Sequence, residues 1–151
     1  MKKFAKEQIE MVKNHCVNAN YPVVTSCIGG RTFRYYILPQ SLNPGLPSFA
    51  MCLSGDPQDG YVVGVADTVN PEFRDFWAFH EYFEATEGRT CQDTLRVELD
   101  VLPNNLRSDY LAARKTFFNN LVTFATERPN EYSSVEIAGF RESASHLEKL
   151  L

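Results

Sequence analysis

Residues 23–38 read VVTSCIGGRTFRYYIL, and their reading decides the fold. Residues 23–28 and 32–38 are rich in β-branched and aromatic side chains, and Gly29-Gly30 between them readily supplies the positive φ angles of a tight turn. The stretch therefore predicts two paired antiparallel strands. Upstream, Phe4, Ala5, Ile9, Val12, Cys16 and Ala19 recur at helical spacing, which predicts a helix over 3–19 that Pro22 ends. Downstream, Pro39, Pro44, Gly45 and Pro47 make a loop in which helix and interior strand are both disfavoured. Residues 49–53 and 61–66 then flank the turn 55–60, GDPQDG, and predict a second hairpin.

Beyond residue 66 the apolar period becomes helical. Asn70 suits a cap, Pro71 the first turn and Glu72 the positive end of the dipole, so a helix is predicted over 72–87 with Gly88 as its stop. Three more follow, over 92–102, 108–127 and 133–151, bounded by Pro103 and Pro129. Strands run together and helices segregate, which predicts an α+β fold. It comprises an N-terminal helix, a four-stranded antiparallel sheet made of two hairpins, and four C-terminal helices. A chain of 151 residues without an internal repeat or long linker is expected to form one domain.

Composition narrows the function classes. A net charge of -4 argues against a general binder of the phosphate backbone, whose affinity comes from clustered Lys and Arg, so no nucleic-acid partner is expected. No apolar run approaches membrane-spanning length, and the lysines near the start lead into an amphipathic pattern rather than an apolar signal core. Cys16, Cys27, Cys52 and Cys91 form no C-x-x-C pair, as expected of reduced thiols in a cytoplasmic protein.

On a helical wheel, with residues roughly 100° apart, Phe73, Phe76, Trp77, Phe79 and Phe83 share one arc of the 72–87 helix. His80 and Glu84 fall inside that arc, and Glu81 lies at its border. In the next helix Glu98 sits between Cys91, Leu95 and Leu102. In the long one Arg114 falls within the stripe of Tyr110, Phe117, Leu121 and Phe124. Three consecutive helices thus each turn a charge inward. A buried charge left unpaired costs several kcal/mol, so these residues are expected to meet, with Arg114 pairing to Glu84 or to Glu98.

His and Glu at i and i+4 present a nitrogen and an oxygen on one face, a pair suited to zinc, manganese or iron. The stretch 80–84, HEYFE, resembles the H-E-x-x-H helix of the zincin metallopeptidases, with Glu84 where the second histidine of that family stands. The resemblance implies a metal-assisted hydrolase in which His80 is the first ligand and Glu81 the base that activates water. Glu98 is then the third ligand, completing the set His80, Glu84 and Glu98. Arg114 in the same space would repel a cation. The alternative is a non-catalytic interaction module whose cluster is a structural ion network. Its partner surface would be an outward aromatic among Phe33, Tyr35 and Tyr36, or the stripe Ile137, Phe140, Ala144, Leu147 and Leu151 joining two copies as a homodimer. A Cys91/His80 nucleophile pair is a further option, against packing of Cys91 as a small hydrophobe.

Overall fold

Gly29 and Gly30 adopt φ angles of 59° and 76°, and the tight turn they make joins β1 (Val23–Ile28) to β2 (Arg31–Leu38). The two strands pair antiparallel from Val23↔Tyr36 to Ile28↔Arg31. The structure, a computed structural model, describes residues 6–54 and 62–151. Within them, α1 (Lys6–Asn18) precedes the hairpin and buries Cys16; the expected helical positions Phe4 and Ala5 lie outside the described residues. The second strand pair, β3 (Ala50–Ser54) and β4 (Val62–Ala66), is antiparallel as expected. Its turn at 55–60, and Tyr61, lie outside the described residues.

The sheet itself departs from the expectation. It is mixed rather than purely antiparallel: β4 inserts between β2 and β3 and runs parallel to β2, giving the order β1-β2-β4-β3. The cause lies in residues 39–49. A tight turn would set β3 beside β2, whereas this proline-bearing segment carries the chain sideways by two strand spacings, roughly 10 Å, through a 3-10 turn at Gln40–Leu42. β4 fills the slot left open. Its end is tied to both neighbours, Ala66 N–H donating to Phe49 O at 2.9 Å and Asp67 N–H to Leu38 O at 2.8 Å. As a central strand it is covered on both faces, and Val63, Val65 and Ala66 have no exposed surface. Gly64 belongs to the same device, because a Cβ there would collide with the side chain of Leu38.

Four helices follow the sheet, as expected. Asn70 Oδ1 accepts the Glu72 N–H at 3.0 Å, but 71–73 form a turn, and α2 proper is Arg74–Glu87, closed by left-handed Gly88 at φ 64°. α3 (Cys91–Asp100) is capped by Thr90, whose side chain accepts the Asp93 N–H. A second 3-10 turn, Asn104–Leu106, comes before α4 (Arg107–Thr126); these two turns are where the helical order differs from the expected one. α5 (Ser134–Leu150) starts at a reciprocal capping box between Ser133 and Glu136. No described helix is long and apolar enough to cross a membrane.

α2 packs on the sheet with one side and against α3 and α4 with the other. The Phe33 ring meets Phe79 at 6.2 Å and stacks with Tyr82 at 5.3 Å, and Tyr35 OH donates to Asp75 Oδ1 at 2.6 Å. Phe33 and Tyr35 are thereby buried, and Tyr36 is half-buried. Phe140 and Leu147 of α5 are also buried, while Leu151 stays exposed.

Gly64→Ala, a one-methyl overpacking of the central strand, should destabilise the protein by about 1–3 kcal/mol. Urea unfolding checks this, and an unchanged midpoint would contradict the close approach of Leu38.

Candidate functional site

Three helices deliver the inward charges to one place. α2 contributes His80, Glu81 and Glu84, α3 contributes Cys91 and Glu98, and α4 contributes Tyr110 and Arg114. Helical periodicity explains each grouping, since residues three, four or seven apart lie on one face. All but Glu84, which is partly exposed, are buried: Glu98 and Tyr110 are 0% exposed, Arg114 1%, His80 2% and Glu81 4%.

Glu98 is the hub. Arg114 grips it bidentately, Nε on Oε2 at 2.8 Å and Nη2 on Oε1 at 2.9 Å. His80 Nδ1 donates to Oε1 at 2.6 Å, and the Tyr110 hydroxyl donates to Oε2. Burial by itself raises a carboxyl pKa, but the adjacent charges of Arg114 and His80 reverse this and hold Glu98 down at about 2. Arg114 is pushed up in turn: burial opposes its charge, and Glu98 more than restores it. The Tyr110 phenol is raised by burial and by Glu98. Above the guanidinium lies an aromatic lid, with Arg114 Cζ 4.2 Å from the Trp77 ring and 5.3 Å from Phe117.

The imidazole of His80 divides the site in two. With Nδ1 committed to Glu98, Nε2 faces Glu84 Oε2 at 2.9 Å and Cys91 Sγ at 3.6 Å. Burial works against the imidazolium, yet Cys91, Glu98 and Glu84 beside it together raise His80 well above its ordinary value. Glu84 is lowered, its burial outweighed by the hydrogen bond and charge of His80. Glu81 moves the other way, to about 8, because burial and the neighbouring charge of Glu84 exceed the help from His80 and Arg114. At neutral pH Glu81 is therefore mostly protonated.

The expected meeting of His80, Glu84, Glu98 and Arg114 is what the structure contains, and Arg114 takes Glu98 rather than Glu84. The ligand set His80, Glu84 and Glu98 is corrected. Glu98 lies on the Nδ1 side of the ring with both oxygens engaged by Arg114, Tyr110 and His80, so it does not converge on Nε2 with Glu84. Cys91 does. His80, Glu84 and Cys91 each offer a ligand atom within 4.8 Å of the others, a group that could hold a metal ion. Spacing already put Cys91 and Glu98 seven apart on one face of α3. Which of the two meets Nε2 depends on the tilt of α3 across α2, a property a wheel does not contain. Tyr110 was legible only as part of an apolar stripe.

Comparisons with protein-family models, with curated proteins and with solved structures find no match to this chain.

Arg114→Met strands the Glu98 carboxylate in the core and should cost about 3–5 kcal/mol of stability by urea unfolding at pH 7. A change under about 1 kcal/mol, the range of exposed pairs, would contradict the buried pairing. The pH dependence has a definite sign. Glu98 folds with a pKa of about 2 against an ordinary 4.5, so its stabilisation is fully present above pH 4.5 and disappears as the pH falls through about 2. Glu98→Gln should lose stability at pH 7 and show a flatter decline than the wild type between those limits; parallel declines would contradict this assignment.

Proposed function

We propose that the protein binds one zinc-type divalent metal through His80 Nε2, Glu84 and Cys91, and that the bound ion locks α2 to α3. The observation that carries this reading is the convergence of nitrogen, oxygen and sulfur within 4.8 Å beside an imidazole whose other nitrogen is fixed by a carboxylate. Zinc–ligand bonds of about 2.0–2.3 Å imply donor separations near 3.3–3.8 Å in a tetrahedron. The Nε2–Sγ distance of 3.6 Å lies in that range, and the Nε2–Oε2 distance of 2.9 Å needs to open by only about half an ångström. Glu98 on Nδ1–H is the outer carboxylate that sets the tautomer and raises ligand basicity in metal-bound histidines. The sulfur donor favours zinc or iron over manganese.

Arg114 is no obstacle to a cation at this site, because its charge is already paired bidentately with Glu98. Binding would release protons, since ligand atoms coordinate in their deprotonated form.

Metal-assisted hydrolysis, as implied by the resemblance to zincins, is the second reading of the same site. Favouring it, Glu81 adjoins His80 and titrates at about 8, in the range of a group that exchanges protons near neutral pH. Against it stands access: His80 and Glu81 are 2% and 4% exposed and Cys91 8%, whereas catalytic zinc keeps an open position for water and substrate.

Zinc added to chelator-treated protein should bind once per chain, release protons and raise Tm by roughly 5–10 °C at a hundredfold excess over Kd. Calorimetry in buffers of different ionisation enthalpy reads the first two. Cys91→Ser combined with His80→Gln should abolish both the binding and the shift, while wild-type protein that takes up no zinc, iron or manganese would remove the proposal. Unfolded casein separates the readings, since hydrolysis by the zinc form that Glu81→Gln abolishes without losing zinc requires the zincin-like one.

A further inference from the structure

The groove between α3 and α5 is formed by side chains that take no part in the buried cluster. A cavity of about 280 Å³ opens there, lined by Gln92 and Arg96 from α3 and by Ser143, Ser145, His146 and Lys149 from α5. Its lining is rich in hydrogen-bond donors and positive in a chain whose net charge is -4. Arg96 reaches Asp93 only at 3.9 Å, with both side chains more than half exposed, so its charge remains available. Lys149 makes no ion pair among the described residues. The acid in the lining, Glu142, is engaged sideways, its Oε2 accepting from Gln92 Nε2 at 3.3 Å. A Cβ at Gly139 would stand 2.7 Å from Gln92 Nε2, so the end of that flexible side chain would have to shift to admit one.

Ser143 points to what the cavity takes. It is 1% exposed and its Oγ is buried without a hydrogen-bond partner, although it lines the cavity. A buried hydroxyl left unpaired costs stability, and replacing it by alanine would remove that cost. An acceptor brought by a ligand would remove it too. An oxyanion also meets the ammonium of Lys149, the guanidinium of Arg96 and the Ser145 hydroxyl, the donor types that recognise phosphate. The volume falls just below the roughly 300 Å³ at which pockets for drug-sized ligands begin, which limits the ligand to one phosphate group on a small body.

We propose that this groove binds a small phosphate-bearing anion through Ser143, Ser145, Arg96 and Lys149. Titration of the full chain with inorganic phosphate and with glycerol phosphate, at constant ionic strength and with chelator present, tests this apart from the metal centre. Saturable 1:1 binding is expected. Tighter binding of inorganic phosphate identifies the free ion, and tighter binding of glycerol phosphate identifies a phosphomonoester. Ser143→Ala should weaken binding by about tenfold while leaving Tm without ligand unchanged or higher. Lys149→Gln should weaken it similarly, and Glu142→Gln should tighten it. Absence of saturable binding of either anion at millimolar concentration would overturn the proposal, as would equal affinities in wild type and Ser143→Ala.

Discussion

The bidentate pair between Arg114 and Glu98 is the interaction around which the interior is arranged. Two charges from α3 and α4 lie beyond the reach of water, and that burial is tolerable only because every strong hydrogen-bonding position on the carboxylate is used. Arg114 is also held by aromatic faces, since Trp77 and Phe117 meet each other at 4.7 Å and both meet the guanidinium. Shifting α4 by one turn would break the ion pair and this aromatic packing together. Apolar residues of the same volume could fill the space with equal or greater stability, as is general for buried ion pairs. What they could not supply is a defined orientation for the imidazole beside them.

That orientation is the link from packing to chemistry. Glu98 fixes His80 Nδ1 as a donor, and Nε2 is thereby directed to Glu84 and Cys91. The two sides of the ring do different work: one is saturated and rigid, and the other collects three ligand types that metals of the zinc class share. Glu81 is mostly protonated at neutral pH, raised to about 8 by burial and by the neighbouring charge of Glu84. Arg114 and Glu98 are paired with each other on the Nδ1 side of the ring, away from Nε2.

Much of this was legible in the sequence, because the relevant signals are local. Gly29-Gly30 between two β-rich runs fixed the first hairpin, and charges breaking apolar stripes on three successive helices marked the cluster. The insertion of β4 was not legible in the same way, since strand order follows from where a loop places the next strand. One sign of it was nonetheless present. Residues 62–66, VVGVA, are apolar throughout instead of alternating, as suits a central strand covered on both faces. That Cys91 rather than Glu98 joins His80 and Glu84 in the group that could hold an ion escaped the wheel for a related reason. A wheel assigns a face, whereas the nitrogen a residue meets depends on helix tilt and on which carboxylate the arginine has already claimed.

Nitrogen-15 NMR of labelled protein at pH 7, before and after one equivalent of zinc, reads the protonation of the two His80 nitrogens and so decides whether Glu98 holds the ring for a metal at Nε2. An imidazolium with both nitrogens protonated is expected at first. After zinc, the Nδ1 proton should remain in its hydrogen bond to Glu98 and the Nε2 resonance alone should move to a metal-bound position. A neutral imidazole in the metal-free protein, or metal-induced loss of the Nδ1 proton, would contradict it.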